Sequence, residues 1–193
     1  MKKSLILLTL ISLFSTIAFA GIDANKLPKK KLTPQGKYLT AKDAYKIVKN
    51  ENNTVLFVDV RTRAEVEFVG MTNMVDANIP YMVQDVDSWN EKKKKFDMAP
   101  NSNFSIVFAE TLKSKDLKKD SKVILMCRSG SRSAKAANLL NKLGYKNVYT
   151  IIDGFEGDKA KSGPSKGHRK VNGWKNSNLP WSYKLAKNKM YFE

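Results

Sequence analysis

The sequence is short of the residues that cross-link or metallate a fold: 193 residues contain one cysteine, Cys127, and one histidine, His168. A lone cysteine excludes a disulfide within the chain, and without a Cys/His cluster there is no ligand set for a structural metal. Acidic residues are also scarce, 18 against 35 Lys and Arg, for a formal net charge of +17. Internal repeats are missing, and so is any long apolar run after the first twenty residues.

Those first residues, MKKSLILLTLISLFSTIAFA, place two lysines before a short apolar stretch that ends in the small-x-small pattern Ala18-Phe19-Ala20. The pattern predicts a cleaved export signal over residues 1–20, a mature chain starting at Gly21, and no membrane span in the mature form. Export makes nucleic acid an unexpected partner despite the charge; tracts such as Lys29-Lys30-Lys31 and Lys92 to Lys95 read as solvated faces, and the total charge as a means of steering small anions. An exported protein meets an oxidising compartment, so Cys127 is buried filler, paired to another molecule, or a reactive thiol.

Residues 21–38 carry proline, glycine and lysine with little apolar periodicity and are expected to form a flexible basic lead-in. Thr40 caps an expected helix over residues 41–49. Thr54 to Val60, TVLFVDV, has the continuous apolar character of a buried parallel strand. Thr62 and Glu65 fit a capping box for a short helix ending at Gly70, and Val75 to Ile79 is expected as a strand stopped by Pro80. Residues 81–103 show no clear period, and Glu91 to Lys95 suit an exposed helix or a loop. A helix over 104–113, a strand over 122–126, a helix from Ser133 to Leu143 and a strand over 147–152 complete the pass. This alternation predicts an α/β fold, a parallel sheet with helices on both faces, for one domain over residues 39–160; residues 161–193 form a C-terminal extension. Trp174 and Trp181 in that extension fit core anchoring better than a partner surface.

In such a sheet, sites lie at the carboxyl ends of strands, where both Asp59-Val60-Arg61 and Cys127-Arg128-Ser129-Gly130-Ser131-Arg132 fall. A tight turn from strand to helix can aim backbone N–H groups at one point, and Gly130 permits the conformation this needs. Those donors, the positive helix end, Arg128 and Arg132 favour a thiolate at Cys127 and an oxyanion beside it; Ser129, Ser131 and Ser133 supply hydroxyls or caps. No general base adjoins the cysteine, and His168 sits in a Gly/Lys-rich tail. A thiolate formed by its own loop does not need one.

The strand with DVR at 59–61, Glu65 and the helix-ending Gly70, ANIP at 77–80, CRSGSRS at 127–133, LGY at 143–145 and DGFEG at 153–157 together resemble the single-domain rhodaneses, a sulfurtransferase family. The resemblance spans residues 54–157 and implies a rhodanese-like fold and a ping-pong reaction without a cofactor. Cys127 attacks a small anionic sulfur donor such as thiosulfate, becomes a persulfide, and passes the sulfur to cyanide or a thiol. It further implies that Arg128 and Arg132 hold the donor's oxyanion, and that Asp59 and Arg61 support the loop or face the substrate. Two features depart from the family pattern: Met71 to Asp76 replaces a His and a Pro-Gly turn, and the terminal double-glycine turn is altered at Gly154 to Gly157.

Two other functions compete. Cysteine-dependent phosphatases and arsenate reductases use a similar loop, but usually with one more residue between cysteine and arginine. An exported sulfur carrier that delivers to a partner protein would keep the persulfide and exchange slowly with small acceptors.

Overall fold

Side chains alternate strictly across the central strands. Val55 and Phe57 of β2 (Val55–Asp59) enter one core with Ile124 and Met126 of β6 (Lys122–Met126), whereas Leu56, Val58, Val123 and Leu125 enter a second core on the opposite face. A sheet buried on both faces needs covering layers on each, and two pairs of helices supply them. The structure is a computed structural model describing residues 21–192; the export signal expected at residues 1–20 lies outside the described residues.

The main sheet has five strands, all parallel, in the order β1 (Tyr38–Leu39), β7 (Val148–Ile151), β6, β2, β3 (Ala77–Asn78). Helices α1 (Ala41–Glu51) and α2 (Arg63–Val69) pack on one face, and α3 (Phe104–Ser114) and α4 (Ser131–Lys142) on the other. Thr40 and Thr62 cap α1 and α2, and Thr62 with Glu65 forms the full capping box. Among the described residues no helix is long and apolar enough to cross a membrane.

Three segments differ from the sequence-based expectation, and a fourth, residues 81–103, takes a form the sequence left open. The lead-in is not loose. Lys31 is buried in an ion pair with Asp158 at 2.9 Å, Gln35 bonds to Tyr145 and Val148, and Tyr38–Leu39 adds an edge strand against β7. The strand expected over 75–79 shrinks to Ala77–Asn78, because the Asp76 carboxylate itself takes the Phe57 N–H at 2.8 Å. Residues 82–100 form an antiparallel hairpin, β4 (Met82–Asn90) and β5 (Lys95–Pro100), with an irregularity between Asp85 and Trp89; the run Glu91 to Lys94 is its turn. Finally, α4 begins at Ser131, two residues early, because Gly130 in the left-handed conformation ends the loop and its carbonyl accepts from Ala134 N–H and Ser133 Oγ.

The C-terminal extension belongs to the first core. Trp174 is completely buried against Tyr45 and Phe57, its Nε1 donates to Pro180 at 2.9 Å, and Gly173 N–H donates to Asp153. Met71 exchanges two backbone hydrogen bonds with Ser182, and Trp181 lies so close over Gly70 that a Cβ there would fall 2.7 Å from its ring. The atypical loop after α2 makes a turn at Asn73 and Met74, with hydrogen bonds to Thr72 from Met74 N–H and Val75 N–H, and is braced by the tail as well.

Candidate active site

The strand-to-helix turn after β6 places Cys127 at the amino end of α4, and the surrounding chain is folded around that turn. Gly130 N–H donates to Cys127 Sγ at 3.2 Å, and the Ser133 hydroxyl, 3.5 Å from the sulfur, donates to Gly130 O at 3.0 Å. A backbone donor and the positive end of a twelve-residue helix therefore meet any negative charge on sulfur. The turn is backed by residues 153–157: Phe155 N–H donates to Cys127 O and Glu156 N–H to Arg128 O. Close approach makes glycine mandatory at two points. A Cβ on Gly130 would sit 2.2 Å from Ile152 O, and one on Gly154 would sit 2.4 Å from Cys127 O; both residues also have positive φ.

Below the loop lies a buried ion pair. Asp59 and Arg61 are both without solvent exposure; Arg61 Nη2 lies 2.7 Å from Asp59 Oδ2 and donates to Gly70 O, and its guanidinium stacks 3.9 Å from the Phe155 ring centroid. Asn78 Nδ2 donates to the carbonyls of both residues. This burial leaves Asp59 and Arg61 as supports beneath the loop, joining β2, the end of α2 and the 153–157 turn, with no face open to a substrate.

The two loop arginines behave differently. Arg132 is held in a bidentate pair by Glu65 across the sheet edge. Burial acts to raise the Glu65 pKa, but hydrogen bonding and charge from Arg132, with the Thr62 N–H and the charge of Arg61, hold it down at about 2. Burial alone would lower the Arg132 pKa; Glu65, Cys127 and Asp59 raise it instead. Arg132 thus keeps its charge near Cys127 while its donor fork is occupied by Glu65. Arg128 is exposed, and its guanidinium has no hydrogen bond or ion pair among the described residues. Ser129 and Ser131 are half-buried at the rim, whereas Ser133 and Gly130 are buried and shape the loop from inside.

The family model of the Rhodanese-like domain matches residues 40–161. The chain belongs to the rhodanese-like domain family. This family includes sulfurtransferases. An uncharacterized protein of Rickettsia prowazekii is 34% identical over 132 residues, covering 68% of this chain and 86% of the relative. The thiosulfate sulfurtransferase GlpE of Tolumonas auensis is 46% identical over 39 residues, 20% of this chain and 37% of that one. Among solved structures, a crystal structure of a protein from M. tuberculosis superposes with a TM-score of 0.54 at 27% identity, covering 76% of this chain and 97% of the other.

Two features of the rhodanese-like site lay beyond the sequence reading. Arg169, from the extension, donates to Gly157 O; burial and then the charge of Arg128 lower its pKa, against Glu156, Asp158 and Cys127, so a third guanidinium stands near the loop. The β4–β5 hairpin also faces α2 and the two loop arginines across a cleft of about 600 Å³. Among the described residues no group of three or more His, Cys, Asp or Glu is arranged to hold a metal ion.

Proposed function

We propose that the protein is a sulfurtransferase that moves sulfane sulfur from thiosulfate or a related donor to cyanide or a thiol through a persulfide on Cys127. The observation that carries this reading is the seating of Cys127 Sγ against Gly130 N–H at the start of α4, with Arg128 and Arg132 beside it.

The Cys127 thiolate attacks the outer sulfur of thiosulfate. A new S–S bond forms at Sγ, the sulfur–sulfur bond of the donor breaks, and its electron pair leaves on sulfite. Arg128, with open donors, takes the oxyanion end of the donor, and the charge of Arg132 offsets the negative charge that gathers over the loop. Cyanide or a thiolate then attacks the outer sulfur of the persulfide, and Cys127 recovers the electron pair as thiolate. No proton moves in either transfer, which fits a cysteine without an adjoining base. With a single cysteine, the persulfide is discharged only by a second molecule.

We place this chemistry outside the cytoplasm, after removal of residues 1–20, on the strength of the leader pattern. Incubation with thiosulfate is expected to raise the intact mass by one sulfur, about 32 Da, and cyanide is expected to reverse the gain with release of thiocyanate. Cys127→Ser abolishes both. Unchanged mass with a titratable thiol overturns the reading.

A further inference from the structure

Of the two arginines in the cysteine loop, one has its donors already taken. Glu65 occupies the fork of Arg132, which leaves Arg128 as the loop guanidinium with open donors among the described residues. One exposed charge holds an anion weakly in water. A further guanidinium reaches the same loop from outside the matched domain. Arg169 lies beyond residue 161, in a segment whose two ends are clamped together. Lys159 and Ala160 form backbone bridges with Arg169 and Lys166, Asp158 N–H donates to Asn172 Oδ1 at 2.8 Å, and a Cβ on Gly157 would fall 1.8 Å from Asn172 O. Asn176 Nδ2 donates to the carbonyls of both Glu156 and Arg169, at 2.8 and 3.2 Å, and Glu156 N–H donates in turn to Arg128 O. Arg169 is therefore stapled to the turn that backs Cys127. Its side chain lies over this turn: Nη1 donates to Gly157 O, and the residue is half-buried while His168 and Lys170 on either side of it are exposed. Nε and Nη2 have no partner among the described residues. Asp158, which is near enough to act on its charge, is already paired with Lys31.

We propose that Arg169 is a further residue of the active site: its open donors share with Arg128 the oxyanion end of the anion bound at the Cys127 loop, taking the place of the fork that Arg132 gives to Glu65. The identity of that anion as a sulfur donor rests on sulfur transfer through Cys127; the anion site itself does not require turnover. Two guanidiniums brought together with no carboxylate bridging them repel, and an anion between them turns the repulsion into attraction to both. The charge of Arg128 does reach Arg169, lowering its pKa after burial has done so, and the charge of Cys127 reaches it with the opposite sign. A tie to Gly157 O alone would need only one neutral donor, whereas a guanidinium supplies that tie and keeps further donors and a full charge beside the loop.

Sulfate, an oxyanion with no sulfane sulfur to give, probes the site without turnover. Titrated at constant ionic strength and followed by NMR of the backbone amides of residues 128–132, it should bind the unaltered protein at this loop. Arg169→Gln keeps an amide donor for Gly157 O and loses the charge, and should raise the sulfate Kd about tenfold. Arg169→Lys, which keeps the charge, should recover part of that loss. With thiosulfate as donor, Arg169→Gln should raise KM about tenfold and change kcat less than about threefold, with the urea midpoint unchanged. No sulfate shift at the loop of the unaltered protein, or a Kd and a KM unchanged in Arg169→Gln, overturns the proposal while thiosulfate loading of Cys127 still stands. Equal losses in the Lys and Gln variants with a lowered urea midpoint would reduce Arg169 to a structural tie and overturn it as well. If thiosulfate never loads Cys127, the sulfur-transfer reading fails, and the sulfate titration still decides whether Arg169 serves an anion site.

Discussion

The Cys127 turn is held by the 153–157 turn and by its own Gly130, whereas the β4–β5 hairpin facing it hangs on its own ladder and leaves its largest side chains half in water. The loop is fixed by Gly130, by two hydrogen bonds from the 153–157 turn and by a buried ion pair beneath it. The hairpin is anchored at its base by Asn101, which bonds to Tyr81 and Pro80, while Val86, Trp89 and Phe96 remain exposed. A reacting thiolate needs a fixed set of dipoles, since reorganisation at each turnover would cost part of the rate. The exposed face of a hairpin is under no such demand. The difference therefore separates a fixed loop from an exposed face across the same cleft, and it can be tested by substitutions on either side.

The largest effect on stability is expected under the loop. Arg61→Ala leaves Asp59 buried without its partner and also removes the stack on Phe155 and the bond to Gly70 O, at a cost of about 3–5 kcal/mol. Urea denaturation measures it. The double variant Asp59→Leu with Arg61→Met should recover much of the loss, because it removes both charges from the interior. An Arg61→Ala protein as stable as the original would mean that the loop needs no buried support, and the contrast with the hairpin would lapse.

The same contrast decides what could be read from the sequence. Cys127 to Ser133 was legible because one contiguous segment carries the nucleophile, the glycine and both arginines after an apolar strand. Asp59 and Arg61 were legible as residues at a strand end, but not as a buried pair, since only the packing of Phe155 and Gly70 closes them from water. Glu65 announced itself through its capping box; its second role, across 67 residues to Arg132, has no local signal. The order of the lead-in has no local signal for the same reason, its Lys31 partner lying 127 residues away. The hairpin resisted because the irregularity between Asp85 and Trp89 breaks the two-residue period by which a strand is recognised, and because its exposed rings obey no burial pattern.

A smaller effect is expected where the two regions meet, at Glu65. Its folded pKa of about 2 lies below the ordinary value of 4.5, so the folded state binds its proton less readily than the unfolded chain does. The stability it contributes, about 3 kcal/mol at most, is complete above pH 4.5 and is lost as pH falls toward 2. Asp153 acts with the opposite sign: burial raises its pKa against hydrogen bonds from Gly173 and Ala41, so its cost at neutral pH is relieved as acid protonates it. Subtracting the stability–pH profile of Glu65→Gln from that of the original protein isolates the first contribution. A flat difference between pH 4.5 and 2 would show that the Glu65–Arg132 pair does not hold the loop to α2.

The smallest effect belongs to the hairpin. Val86 is 67% exposed on β4, so Val86→Lys removes little buried area and should change the unfolding free energy by no more than about 0.5 kcal/mol. The charge is added outside the lining of the cleft, which makes the substitution a measure of the hairpin's coupling to the fold. A single unfolding transition with an unchanged midpoint is the expected result in urea. A loss above about 1 kcal/mol would place the hairpin in the cooperative core. Its exposed rings would then be held by the same packing that fixes the Cys127 loop, and the contrast between the two regions would lapse.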